Sequence, residues 1–301
     1  MNAPIALFVY NRPAHLRLTL EALRNAYGAT DTPLYIFSDG SRAGSEECVD
    51  AVRSLCDAVD GFASVEVVRR ESNIGLAANI IQGVTQLFNM YDNVVVLEDD
   101  LVVSPYFIRY MNSALSFYQS RNVFSIAAYT PNMQLPSDYK STTFALQRNC
   151  SWGWATWKNK WQSVDWNVSR FDEFIADATQ CKAFNKCGND LVPMLLKQRL
   201  GIINSWSIRF CFAAFMAGEP TIYPTESFVR NQGVDGSGTN MRVSRRYDTR
   251  LAQSLDTSRF AVGIEPDSRI VASFRKFYDT SLYRRIINHL KIQQYRKSLK
   301  L

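Results

Sequence analysis

Apolar and polar positions follow two different periods through the first half of the chain. Ile5 to Tyr10, Leu34 to Ser38, Val65 to Arg69 and Val94 to Leu97 are short runs of mostly β-branched, aliphatic and aromatic residues, and each predicts a strand. Between them Pro13 to Ala26, with proline in its first turn, Glu46 to Ala58 and Gly75 to Met90 carry helical spacing. Another helix is predicted after Pro105 to about Tyr118, and a fifth strand over Val123 to Ala128. Such alternation predicts an α/β fold, a mostly parallel sheet with right-handed crossovers and helices on both faces.

In a parallel sheet the carboxyl ends of the strands share one edge, and ligands collect there. The first predicted strand ends in Asn11 and Arg12, the second in Asp39 and Gly40, and the third in Arg69 and Arg70 with Asn73 just beyond. The fourth runs as Val94-Val95-Val96-Leu97 straight into Glu98, Asp99 and Asp100. Three adjoining carboxylates repel one another and favour a cation. A divalent metal carrying a phosphate-bearing substrate suits them, because carboxylate and diphosphate oxygens together complete an octahedral shell. Arginines at the same edge suit phosphate. Taken singly, each of these stretches also reads as an ordinary turn, Asp39-Gly40-Ser41 above all.

The alternation stops near Thr130. Ser151 to Trp157, with Trp161 and Trp166, holds five of the six tryptophans, which read as core before they read as a wall for sugar rings. Asn231 to Asn240 contains three glycines and Asp235. It reads either as a plain surface connection or as a mobile lid over a phosphate-containing donor. It lacks the Walker pattern of a P-loop.

Charge is distributed unevenly. The chain carries +6 overall, but Arg269 to Leu301 holds nine basic residues against Asp279 alone, a net of +8 that leaves the body near −2. Such a body makes nucleic acid a poor partner. In the tail Leu282, Ile286 and Leu290 recur at helical spacing and are expected to pack on the body; an interfacial helix on an anionic membrane is the alternative. The six cysteines show no C-x-x-C spacing, and His15 and His289 stand far apart, so a zinc site is not expected. With no signal peptide or membrane span in the sequence, free thiols in the cytoplasm are expected, with peripheral attachment to the inner face of the cytoplasmic membrane as the tail's alternative.

These residues together resemble the GT-A glycosyltransferases, which bind nucleotide sugars on a Rossmann-like sheet bearing an acidic motif. Val94 to Phe107, with Glu98-Asp99-Asp100, looks like the Glu-Asp-Asp motif of N-acetylglucosaminyltransferase I and related bacterial sugar transferases. The resemblance implies a catalytic domain over 1–245, with 1–128 as its nucleotide-sugar half and 129–245 as its acceptor half, and a basic helical appendage over 246–301. It also implies Asp100 as the ligand of Mn2+ or Mg2+, Glu98 and Asp99 facing donor sugar and ribose, Asp39 meeting the base, and Arg12, Asn73 and Gly75 beside the nucleotide. The donor would be a nucleoside diphosphate sugar, a UDP-sugar first. Its hexosyl or N-acetylhexosaminyl group would pass with inversion to a glycan or lipid-linked acceptor in bacterial surface polysaccharide synthesis.

One departure stands out. The related enzyme has a tryptophan-flanked aspartate as general base, and the nearest segment here, Asn204 to Arg209, has no carboxylate. Inverting transfer needs a group to take the acceptor's proton. Asp235 is the first candidate, with Asp190, Glu219 and Glu226 in reserve, and Asn240 stands where some families have a histidine ligand. Two other readings remain: a sugar-phosphate nucleotidyltransferase, which would normally show a glycine-rich, lysine-bearing loop after the first strand, and a degenerate fold that binds glycan or protein.

Overall fold

A computed structural model describes residues 2–236, with Asp235 by its backbone alone, and 246–299. The first half alternates as expected: β1 (Ile5–Val9), α1 (Pro13–Arg24), β2 (Pro33–Ser38), α2 (Glu46–Asp57), β3 (Ser64–Arg69), α3 (Leu76–Leu87) and β4 (Asn93–Glu98). Then follow β5 (Leu101–Val103), α4 (Phe107–Tyr118), β6 (Ser125–Ala127), β7 (Thr143–Leu146) and β8 (Trp154–Trp157). The helices α5 (Lys158–Gln162), α6 (Phe171–Ala176), α7 (Ala178–Phe184), α8 (Leu191–Arg199) and α9 (Trp206–Ala217) form a helical block. The strands β9 (Thr221–Pro224) and β10 (Val229–Asn231) and the helices α10 (Ser268–Arg275) and α11 (Leu282–Ser298) complete the chain.

Eight strands form one sheet in the order β3-β2-β1-β4-β8-β6-β9-β7, and β10 pairs with β5 in a small second sheet. The strands β3, β2, β1 and β4 are parallel, so their carboxyl ends do share one edge. The predicted fifth strand forms as β6 but does not lie beside β4. The tryptophan strand β8 comes between them, antiparallel to both, with Val96 opposite Trp154 and Ala127 opposite the same residue. Periodicity marks a strand but not its neighbours, which long-range packing chooses.

Side chains alternate across β4 because successive residues in a strand face opposite ways. Val95 and Leu97 enter a core shared with α1, α2 and α4, whereas Val94 and Val96 enter one shared with α3 and α9. The second core holds the stacked rings of Trp154, Trp161 and Trp206, with Trp154 centred 4.8 Å from Trp206, so these three tryptophans are core. The helix α9 is apolar on two sides because its other side, with Ile208 and Phe212, closes a third core against α6, α7 and α8.

The tail departs from expectation. Leu282, Ile286 and Leu290 do not pack on the body; they are exposed, and Ile292, Tyr295 and Leu299 dock on the third core instead. That face is held by polar bonds at its end: Tyr295 Oη donates to Asp172 Oδ1 at 2.8 Å and Arg296 Nε to the Ile175 carbonyl at 2.6 Å. No helix among the described residues is long and apolar enough to cross a membrane. All six cysteines are free thiols.

Candidate active site

The acidic turn is clamped by the elements around it. The Tyr10 backbone N–H, just past β1, donates to Asp99 Oδ2 at 3.1 Å, and Thr19 Oγ1 of α1 donates to the Asp99 carbonyl at 2.8 Å. Arg12 Nη1 donates to Asp100 Oδ2 at 2.8 Å, and its Nη2 lies 3.0 Å from His15 Nε2. From the far side of the turn the Gln232 N–H reaches the Asp100 carbonyl at 2.8 Å. The approach is so close that a Cβ at Gly233 would lie 2.0 Å from Asp100 Oδ2, so a side chain there would displace the Asp100 carboxylate from its place beside Arg12. The segment beginning at Asn231 is therefore no plain surface connection where it starts, because it closes over the acidic turn. Asp235 ends the short 3-10 turn Gly233–Asp235, two residues beyond that contact. Residues 237–240, Asn240 among them, lie outside the described residues.

Burial sets the electrostatics. Glu98 is held well above the ordinary carboxylate range by desolvation first and by the charges of Asp100 and Asp99 next, with Arg12 opposing. Asp99 is pushed up to about 7 by desolvation and by Asp100, although the Tyr10 N–H pulls the other way. Asp100 is raised too, by burial, with Arg12 holding the rise down. The three carboxyls do not converge on one point, and among the described residues no group of three acidic, histidine or cysteine side chains could enclose a metal. Yet the set is short of positive charge: Glu98 accepts no hydrogen bond from the described protein, and Asp100 leaves Oδ1 unengaged. Such a set fits a hard divalent cation that takes most of its oxygens from a diphosphate and water and one from Asp100, and it does not fit an all-protein cage.

The neighbouring strand ends build the other half of the site. Asp39, after β2, accepts from the N–H groups of Gly40 and Ile74 at Oδ1 and from Gly75 at Oδ2, each at 2.9 Å. Its carboxylate thus sits at the amino end of α3, where unsatisfied amides favour negative charge. Three bonds leave Oδ2 room for one more donor. Gly40 touches the facing loop so closely that a Cβ would lie 2.2 Å from the Ser72 carbonyl carbon. Asn73 ties the two loops together, donating to the Gly40 carbonyl at 2.9 Å and accepting from Arg42 Nε at 2.8 Å. Arg69 turns away to an ion pair with Asp57, and Arg70 Nε donates to Asn79 at 3.0 Å. Arg12, Asp39, Asn73, Gly75 and the acidic turn are thus gathered on one sheet edge.

The profile of glycosyl transferase family 2 matches residues 5–173, more than half of the chain and including every strand end just described. The chain belongs to glycosyl transferase family 2. Its sheet, with the acidic turn at the end of β4, is of the GT-A type. Among curated proteins none matches it in sequence. Similar solved structures include a cytidylyltransferase from Leptospira borgpetersenii serovar Hardjo-bovis, 13% identical with a TM-score of 0.35 over 55% of this chain and 64% of that one. An active-site mutant of LgtC is 11% identical with a TM-score of 0.40 over 73% of this chain and 72% of its own. S. aureus TarS is 11% identical with a TM-score of 0.37 over 75% of this chain and 36% of its own. The chain thus spans less than two thirds of the cytidylyltransferase and about a third of TarS. Likeness of this degree carries no argument about substrate.

The family 2 match ends at 173, and the remaining candidate bases lie beyond it. Asp190 receives Arg148 in two parallel bonds of 2.8 and 2.9 Å, with the Tyr278 ring 3.9 Å from the guanidinium, so it joins elements together. Glu219 pairs with Lys160 at 2.6 Å and precedes β9, which runs in the sense of β1, so it lies at the amino edge of the sheet, opposite the site. Glu226 is exposed between β9 and β10. In the tryptophan segment, the Gly153 carbonyl accepts from the Ala128 N–H at 2.8 Å, and half-buried Trp152 packs edge-on against Tyr129 and Tyr247. Sequence reasoning missed Tyr10, Arg42 and Gly233. Arg42 alone had a local signal, three residues past Asp39 in the same loop; the others act through backbone that only the fold brings near.

Proposed function

We propose that this family 2 protein is a metal-dependent glycosyltransferase that moves a sugar from a nucleoside diphosphate donor to a hydroxyl of a glycan or lipid-linked acceptor, with inversion. The observation that carries the reading is the buried acidic turn Glu98-Asp99-Asp100 at the carboxyl end of β4, with Arg12 beside it and Asp39 and Asn73 on the same edge.

Asp39 accepts a donor N–H from the nucleotide base at Oδ2, in a loop that Asn73 and Gly75 hold in place. Arg12 faces the phosphates. Asp100 would hold Mn2+ or Mg2+, which would supply positive charge to offset the diphosphate as it leaves. Glu98 and Asp99 border the donor sugar and ribose. The acceptor oxygen forms its bond to the anomeric carbon from the side opposite the departing diphosphate. Its proton goes to the Asp235 carboxylate. UDP is the first nucleotide to test, a hexosyl or N-acetylhexosaminyl group the first sugar, and a bacterial surface polysaccharide precursor the first acceptor. Residues 1–128 make the nucleotide-sugar half, and the chain from 129 to 245 supplies the acceptor half.

The test is a screen of nucleoside diphosphate sugars for hydrolysis and transfer with and without Mn2+, repeated with Asp235→Asn. Cation-dependent turnover of one donor, lost in Asp235→Asn with donor binding retained, supports the reading. Turnover indifferent to the cation removes the metal role, and unchanged turnover in Asp235→Asn moves the base elsewhere.

A further inference from the structure

The helix α11 has two apolar faces, and the body uses only one. Residues on a helix advance by about 100° each, so Leu282, Ile286, Leu290 and Tyr283 fall within one arc of roughly a quarter turn. Ile292, Tyr295 and Leu299 cluster on the opposite side, where they meet the third core. Along the outer arc Leu282 is 70% exposed, Tyr283 76%, Ile286 54% and Leu290 62%. Isolated exposed apolar residues are ordinary, whereas four in one stripe are not.

The charges around the stripe say what covers it. Arg284 and Lys291 lie along one flank and Arg285 along the other, with Lys297 farther along, and all four are exposed. No acidic residue occurs between Thr280 and Leu301. A second copy of this helix would bring like charges together. An anionic bilayer answers both features at once, since acyl chains take the leucines and isoleucine, the interface takes Tyr283, and lipid phosphates take the arginines and lysines. The helix is tied to the body at both ends, by Thr280 on Asn189 just before it and by Tyr295 and Arg296 near its carboxyl end, so the stripe is held at the surface of the protein.

We propose that the outer face of α11 is a docking surface for anionic lipid, which lies flat in the membrane interface while the inner face fixes the body to it. Binding does not depend on the sugar-transfer reading; its consequence, delivery of the active site to acceptors held in the membrane, does.

The test uses the full chain with vesicles of phosphatidylcholine alone and of equimolar phosphatidylglycerol and phosphatidylcholine, read by cosedimentation and by Tyr and Trp fluorescence. Binding is expected on the anionic vesicles only, weakening as salt rises. Ile286→Asn with Leu290→Asn should lower the partition coefficient about a hundredfold, the loss expected for two buried aliphatic side chains. Arg284→Gln with Arg285→Gln and Lys291→Gln should remove the preference for phosphatidylglycerol. All five positions are exposed, so circular dichroism should stay unchanged. Absence of binding, or binding untouched by both sets of substitutions, overturns the proposal. A dimer in sedimentation velocity that becomes a monomer in the Ile286→Asn, Leu290→Asn chain overturns it too, because a second copy would then own the face.

Discussion

Arg12 Nη1 and Asp100 Oδ2, 2.8 Å apart, join the end of the first strand to the end of the fourth across the site. The guanidinium offsets one of three adjoining carboxyls and leaves the set short of charge. If a divalent cation completes it, Asp100→Ala should abolish the gain in nucleoside diphosphate affinity that Mn2+ brings, a loss of about tenfold or more, equal to ~1.4 kcal/mol. Titration calorimetry with UDP, with and without Mn2+, measures this directly. A chain that still binds more tightly with Mn2+ after the change has its cation elsewhere.

The raised proton affinity of Asp99 makes a prediction about pH. Its carboxyl is pushed up to about 7 in the folded chain, against an ordinary value near 4 when unfolded. Between those values the folded state binds more protons than the unfolded state, so the stability of the metal-free chain falls as pH rises from about 4 to about 7. Asp99→Asn keeps an acceptor for the Tyr10 N–H and removes the titration. Thermal melts across this range should show a shallower decline in the variant; an unchanged slope would assign the effect to other groups.

Gly40 has no room for a side chain. Placing a Cβ 2.2 Å from the Ser72 backbone forces the two loops apart, so Gly40→Ala should cost about 1–3 kcal/mol. Because Asp39 holds Ile74 and Gly75 across that contact, nucleotide affinity should fall with stability. Denaturant unfolding paired with calorimetry checks both, and a stable variant with native affinity would show that the loops tolerate separation.

The paired bonds between Arg148 and Asp190 are a structural tie. Asp190→Asn strands a buried guanidinium and should cost about 3–5 kcal/mol. Turnover per folded molecule should hardly change. The opposite result, intact unfolding midpoint with lost turnover, would return Asp190 to the candidate bases.

Much of the sheet edge that carries the acidic turn was legible in the residues. Val94 to Leu97 could only be a buried strand, and the carboxylates that follow had to lie at its end, just as Asp39 and Asn73 had to follow β2 and β3. Parallel pairing of those strands then sets the ends side by side, so local pattern and a topological rule sufficed. The far half of the sheet was less legible, since β8 gives no local sign that it will enter the sheet between β4 and β6. Nor does Gly233 show in sequence that its neighbour is Asp100, more than a hundred residues away.

The sequence by itself determined the alternation of elements, the acidic turn at a strand end and the basic tail with an apolar stripe, because side-chain period and charge are local properties. Tertiary structure decided which strand lies beside β4, which carboxyls are tied by Arg12 and Tyr10, and which face of α11 is left to solvent. Each of those choices depends on surfaces distant in the chain competing to bury one another, and period alone carries no record of that competition.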